Sequence, residues 1–166
     1  MNRRTILSLT TMAMLSLAVV FATALPQAGL AQSNPLIGTW KLNLEKSKLT
    51  PAPALRSQTA TFQQDGQNIK NTNQTVDAQG NAMTNVFLHI YDGQPHPTTG
   101  NPLYDATSYL RLDGNTIVFS RFKGGKLVQI GTIAVSQDGK SRTNTTSGIV
   151  GPNGLAGTTV SVYDKQ

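Results

Sequence analysis

Thr116-Ile117-Val118-Phe119-Ser120-Arg121-Phe122-Lys123-Gly124-Gly125-Lys126-Leu127-Val128-Gln129-Ile130-Gly131-Thr132-Ile133-Ala134-Val135 is the stretch that decides the fold class. Two runs rich in Val, Ile, Thr and Phe flank a Gly-Gly pair. β-Branched and aromatic side chains suit a pleated, half-buried surface, and adjacent glycines supply the positive φ that a tight reversal needs. The stretch reads as a hairpin, with strands over 116–122 and 126–135. Ile117, Phe119 and Arg121 share one face of the first strand by the period-two rule.

The same punctuation recurs outward from this hairpin. Asp113-Gly114-Asn115 precedes it and Asp138-Gly139 follows it. Asp65-Gly66, Asp77-Ala78-Gln79-Gly80, Asp92-Gly93 and Gly151-Pro152-Asn153-Gly154 complete the series. These residues tolerate φ > 0 or bond their own backbone, which is why they mark turns. Their spacing, mostly about 10 to 15 residues, leaves room for one strand in each interval. Strands are accordingly predicted over 38–44, 57–64, 67–76, 82–91, 106–112, 141–149 and 157–164 as well. Trp40, Leu42 and Leu44 would share a face. No helical periodicity is sustained beyond Gln32. Nine strands exceed what a small flat sheet holds, so the meander must close or fold into two layers. The expectation is an all-β, single-domain antiparallel up-and-down β-barrel, because closure removes exposed edges. A Greek-key sandwich is the alternative. Glu45 to Leu55, with Pro51 and Pro53, is expected to be a connector or short helical turn.

The amino terminus has a different character. Met1-Asn2-Arg3-Arg4 leads into a mostly apolar run through Leu25, then Pro26 and a small-x-small exit at Gly29-Leu30-Ala31. These are the three parts of a secretory signal peptide, with cleavage expected after Ala31. The alternative is an uncleaved anchor, since about 20 apolar residues suffice to span a bilayer. Arg3-Arg4 half-matches a twin-arginine signal, which leaves the export route open. The expected organisation is a signal peptide over 1–31 and one barrel domain over 32–166, exported to the periplasm or beyond.

Composition narrows function by exclusion. The 166 residues include no Cys, which removes disulfides, thiolate metal sites and nucleophilic thiols. The formal charge is +6, and two of the arginines lie in the expected signal, so the domain carries about +4, spread along its length. That does not mark a nucleic-acid binder. Arg121, Lys123 and Lys126 with Phe119 and Phe122 read as a solvated hairpin tip rather than a stacking platform.

Gly38-Thr39-Trp40-Lys41-Leu42, followed by Lys46-Ser47-Lys48, resembles the opening of the calycins, the lipocalins and fatty-acid-binding proteins. In those families a Gly-x-Trp starts the barrel and its indole closes one end. The whole chain also looks like a group of small exported bacterial proteins of unassigned function. The shared motifs are Tyr91-Asp92-Gly93, Thr99-Gly100-Asn101-Pro102 and Tyr163-Asp164-Lys165-Gln166. The resemblance implies a lipocalin-like barrel with an internal ligand. Two departures stand out. Glu45 to Leu55 is too short for the helix pair that covers fatty-acid-binding proteins, and Ser161-Val162-Tyr163 stands where they carry Arg-x-Tyr. Lipocalins often pack a late arginine over the opening Trp, and Arg142 is the nearest candidate. A ligand carboxylate would need another cation, Arg111 or Arg121.

Catalytic chemistry finds little support. A nucleophilic triad needs a histidine base, and only His89 and His96 exist. His89 shares a predicted strand face with Met83, Asn85, Phe87 and Tyr91, whereas His96 lies between Pro95 and Pro97. No Gly-x-Ser-x-Gly elbow accompanies them. Their separation lacks metal-ligand spacing, even with Asp92 added. Six of the eight acids, Asp65, Asp77, Asp92, Asp113, Asp138 and Asp164, fall in predicted turns or at a strand end, which explains them without glycosidase chemistry. No enzyme, cofactor or metal is expected.

The barrel interior is the remaining site. The strand over 67–76 is almost wholly polar, so it is an edge, a wet cavity wall or simply exposed, and exposure is the simplest expectation. The leading function is carriage or sequestration of a small hydrophobic or amphipathic ligand by Trp40, Phe62, Phe87, Tyr109, Arg111, Phe119, Arg121 and Tyr163. The alternative is an interaction or inhibitor module that engages an envelope protein through Gln94-Pro95-His96-Pro97 and the Gly151 to Gly157 loop. Neither role involves nucleic acid, or a membrane once the signal is removed.

Overall fold

The computed structural model describes residues 34–49, 54–150 and 154–166, so the signal-peptide expectation lies outside the described residues. Ten strands run β1 (Gly38–Lys48), β2 (Leu55–Asp65), β3 (Asn68–Asp77), β4 (Ala82–His89), β5 (His96–Pro97), β6 (Ala106–Arg111), β7 (Thr116–Lys123), β8 (Lys126–Val135), β9 (Ser141–Ile149) and β10 (Ala156–Lys165). No helix occurs among the described residues. The strands form one antiparallel sheet in the order β4-β3-β2-β1-β10-β9-β8-β7-β6-β5. Neighbours in sequence are neighbours in space, which excludes the Greek-key sandwich. Because β1 pairs with both β2 and β10, the meander rolls into a nearly closed barrel. The seam lies between β4 and β5–β6, spanned by a single bridge, Val86↔Thr99.

The turns do what their composition dictates. Gly124 and Gly125 sit at φ 55° and 74° between β7 and β8, as the hairpin requires. Asp113 Oδ1 accepts from the Asn115 and Thr116 amides at 2.7 Å each. Asp138 and Asp77 close the β8–β9 and β3–β4 turns in the same manner.

Three expectations are corrected. First, Glu45 to Leu55 holds no helical turn among its described residues: β1 continues to Lys48 and β2 already includes Leu55, with 50–53 outside the described residues. The β1–β10 register instead breaks between Asn43 and Lys48. Ser47 Oγ fills the break, donating to the Asn43 carbonyl at 2.6 Å and accepting from the Val162 amide at 2.9 Å. Leu44 lies on this irregular stretch and is 44% exposed, off the face of Trp40 and Leu42. Second, His96–Pro97 is a short strand rather than a loop, paired with Thr107 and Ala106. Third, β3 is not simply exposed, since Ile69, Asn71 and Thr75 face inward and are buried.

The inward residues divide the barrel along its axis. At the end holding the β2–β3, β6–β7 and β8–β9 turns, Leu36, Trp40, Phe62, Ile69, Tyr109 and Ile133 pack a continuous apolar core. Trp40 is fully buried, and its indole N–H donates to the Leu36 carbonyl at 2.8 Å. The plug therefore satisfies its one polar atom. The opposite end is open.

Candidate functional site

The open half encloses a cavity of about 470 Å³, within the range that holds one small molecule. Its wall is built by alternation. Gln58 from β2, Asn73 and Thr75 from β3, Asn144 from β9 and Ser161 from β10 all point inward, so strands that read as polar present their amides and hydroxyls to the interior. Phe87 of β4 and Tyr104, in the segment before β6, supply one aromatic flank. Leu49, Leu55 and Leu103 form apolar parts of the lining. Asp77 is the one carboxylate on the described lining, at the β3–β4 turn, where its hydrogen bonds to Asn81 hold it below the usual carboxylate range.

Arg121, near the end of β7, is the cavity's cation. Its NH1 donates to Gln129 Oε1 at 2.8 Å, and Gln129 in turn donates to the Ile149 carbonyl. Its guanidinium carbon lies 4.4 Å from the Phe119 ring centroid and 4.5 Å from that of Tyr104. Aromatic faces and one amide thus hold the group in place, while its buried Nε has no partner among the described residues.

Arg142 lies below the cavity, in the packed half. Its guanidinium carbon sits 3.9 Å from the Tyr163 ring centroid, 4.9 Å from Phe62 and 5.7 Å from Trp40. This is the late arginine over the opening Trp that the sequence resemblance implied. Burial draws its pKa down to about 10, opposed by Tyr163, so it stays charged at neutral pH. NH1 donates to Asn144 Oδ1 at 3.2 Å, and Nε and NH2 find no hydrogen-bond partner among the described residues. Burying such an ion costs several kcal/mol, and each desolvated aromatic face returns up to about 2 kcal/mol. No carboxylate among the described residues lies within ion-pair distance of Arg121 or Arg142.

The two histidines do not assemble a reactive centre. His89 is fully buried in the packed half, stacked on Tyr109 at 3.8 Å and met edge-on by Phe62 at 5.5 Å. Burial first, then Arg142, Arg121 and Arg111, pushes its pKa down to about 3, so the ring is neutral and a poor proton acceptor. His96 Nε2 bonds Asp92 at 2.9 Å in the segment leading to β6. No cluster of metal-ligating side chains occurs among the described residues.

Of the residues singled out from sequence, Phe87, Arg121 and Tyr163 line the cavity. Trp40, Phe62, Tyr109 and Phe119 belong to the packed core. Arg111 lies at that same end, 4.5 Å over the Tyr91 ring and 3.4 Å from the Gly114 carbonyl. Sequence reasoning missed Gln58, Asn73, Thr75, Asn144 and Ser161. The signal was present in the odd-numbered polar positions of β3, which only a known register turns into a wall.

The three motifs also have local roles. Gly100 sits at φ 85°, and a Cβ there would stand 2.7 Å from Asn85 Oδ1 and 3.0 Å from the Thr84 carbonyl. Asn101 then donates to the Tyr104 hydroxyl at 3.1 Å, fixing the ring that covers Arg121. Tyr163 donates to Gln58, which donates to Thr75 at 2.7 Å, and Asp164 accepts from Asn43 at 2.7 Å. Tyr91 carries the Arg111 guanidinium.

No protein-family model and no curated protein matches the chain. Solved structures do. A mutant of the REP1-NXSQ fatty acid transporter is similar over 79% of this chain and 98% of its own, at 15% identity and a TM-score of 0.53. Zebrafish ileal bile acid-binding protein complexed with cholic acid aligns over 80% of this chain and 99% of its own, at 14% identity and a TM-score of 0.49. The closed meander, its Trp-plugged end and the first of these likenesses together establish that the chain has a calycin-type fold.

Proposed function

We propose that the protein is an exported binding protein that carries or sequesters one small, partly apolar ligand with an anionic group in the open half of its barrel. The observation that carries this reading is Arg121, a cation on the cavity wall with no carboxylate within ion-pair distance among the described residues. A charge-assisted hydrogen bond there contributes about 1.5–3 kcal/mol, roughly a tenfold to hundredfold gain in affinity. The likeness of the barrel to a fatty acid transporter supports the same reading. So does the placement of His89, away from the cavity and without a nucleophile. Export rests on the signal-like Met1 to Ala31.

The test is titration of the purified protein with 8-anilinonaphthalene-1-sulfonate, an anionic aromatic dye. Arg121→Met should weaken dye binding at least tenfold, and Ser161→Trp, which fills the cavity, should abolish it. Dye binding indifferent to both variants would refute an internal site. Capture of an envelope protein through Gln94 to Pro97, unaffected by Ser161→Trp, would instead favour the role of the loops.

A further inference from the structure

We infer that the ligand is a hydroxyl-rich acid of the acidic-sugar kind rather than an acyl chain, a conclusion that rests on the internal site proposed above. The wall chemistry carries it. Beside its apolar lining, which includes Leu49, Leu55, Met83 and Leu103, the cavity presents amides or hydroxyls from five strands: Gln58 on β2, Asn73 on β3, Asn85 on β4, Asn144 on β9 and Ser161 on β10. An acyl chain laid against such a wall would strip water from these groups and return no hydrogen bond. Each group so stranded weakens binding by about an order of magnitude.

The wall does not satisfy itself. Gln58, Thr75 and Tyr163 form one closed chain of bonds. Asn73 and Asn85, register partners on β3 and β4, both have a buried Oδ1 without a partner among the described residues, and Asn85 is only 4% exposed. A side-chain amide carries both donors and an acceptor, which matches hydroxyls, since each hydroxyl also does both. Next to these amides stand Phe87, two residues along β4 from Asn85, and Tyr104, ring centroids 6.3 Å apart, with Arg121 against both. A pyranose has one apolar C–H face, a girdle of hydroxyls and, when acidic, one carboxylate. The cavity offers an aromatic flank, a girdle of amides and hydroxyls, and one cation.

The test is displacement of the dye from the cavity by four competitors: a glucuronate–N-acetylglucosamine disaccharide, its neutral methyl ester, sialyllactose and dodecanoate. At least one acidic sugar should compete tenfold more tightly than both the ester and dodecanoate. Asn73→Leu with Asn144→Leu should weaken that sugar at least tenfold and strengthen dodecanoate. Thr146→Val, which removes one lining hydroxyl at constant shape, guards against misfolding of the double variant and should weaken the sugar several-fold. If dodecanoate competes best, or no acidic sugar competes while the dye still depends on Arg121, the sugar assignment is wrong and the internal site stands. If the dye is indifferent to Ser161→Trp, the internal site itself fails.

Discussion

His89 shows how a single side chain can set the acid tolerance of the molecule. Its ordinary value of 6.5 falls to about 3 in the folded protein because the fully buried ring faces Arg142, Arg121 and Arg111. As pH drops below 6.5 the unfolded chain takes up a proton that the folded chain refuses until about pH 3. Stability is therefore complete above pH 6.5 and declines through that window, by up to about 5 kcal/mol in total. Asp77, Asp92, Asp113 and Asp138 are held below the usual carboxylate range chiefly by hydrogen bonds in their turns, and Asp164 by Asn43 and Lys46, so their losses come later. Urea unfolding at pH 6.5 and 4.5 should show about 2 kcal/mol lost in the wild type and little of that loss in His89→Leu. An equal slope in both would refute the assignment. At this scale the sequence was partly legible. Alternation put His89 with Asn85 and Phe87, and that grouping holds. Its stacking on Tyr109 joins residues 20 apart in sequence and could not be read before β4 and β6 were placed on either side of the seam.

At the scale of the strand, glycines separate what was legible from what was not. Gly66 at φ 58° has open space where a Cβ would stand, so Gly66→Asn should cost less than about 1 kcal/mol, because Asn tolerates the left-handed region. Gly131 is the contrary case. It lies opposite Phe119 in the β7–β8 register, and an added Cβ would stand 2.1 Å from the Thr145 carbonyl and 2.4 Å from the Phe119 ring. Gly131→Ala should cost about 3 kcal/mol and lower the melting temperature by roughly 10 °C, a contrast that thermal unfolding of the two variants checks. The turn glycines announced themselves through their Asp and Asn neighbours, and the strands drawn between them match the observed ones to within a few residues. Gly131 sits among Ile and Thr and carries no such marker. The break in β1 was equally silent, because Ser47 replaces a ladder bond through a contact 115 residues away. A two-residue strand that follows one proline and contains another, as at His96–Pro97, falls below what period-two alternation can register.

For the molecule as a whole, the seam between β4 and β5–β6 is where the barrel's hydrogen bonding is thinnest, one bridge at Val86↔Thr99 against eight paired positions between β3 and β4. The chain has no cysteine of its own, so Val86→Cys with Thr99→Cys would form a disulfide free of competing pairings. Closing a loop of this length should add about 3 kcal/mol, less any strain, measured by urea unfolding with and without reductant. No gain in the oxidised form would mean that the two positions do not meet the geometry a disulfide needs. Barrel and plugged end were legible from turn spacing and Gly38-Thr39-Trp40, and nine of the ten strands with them. The cavity was not, because whether inward positions are filled or empty depends on which strands face one another across the axis. The division into a packed half and an open half also separates two kinds of mutational cost. Trp40, Phe62, Tyr109 and Arg142 secure the architecture at one pole, whereas Asn73 and Ser161 line the other, where a changed side chain reshapes the hollow and spares the foundation. Asn144 ties the two together, because the amide that faces the hollow also holds the guanidinium beneath it.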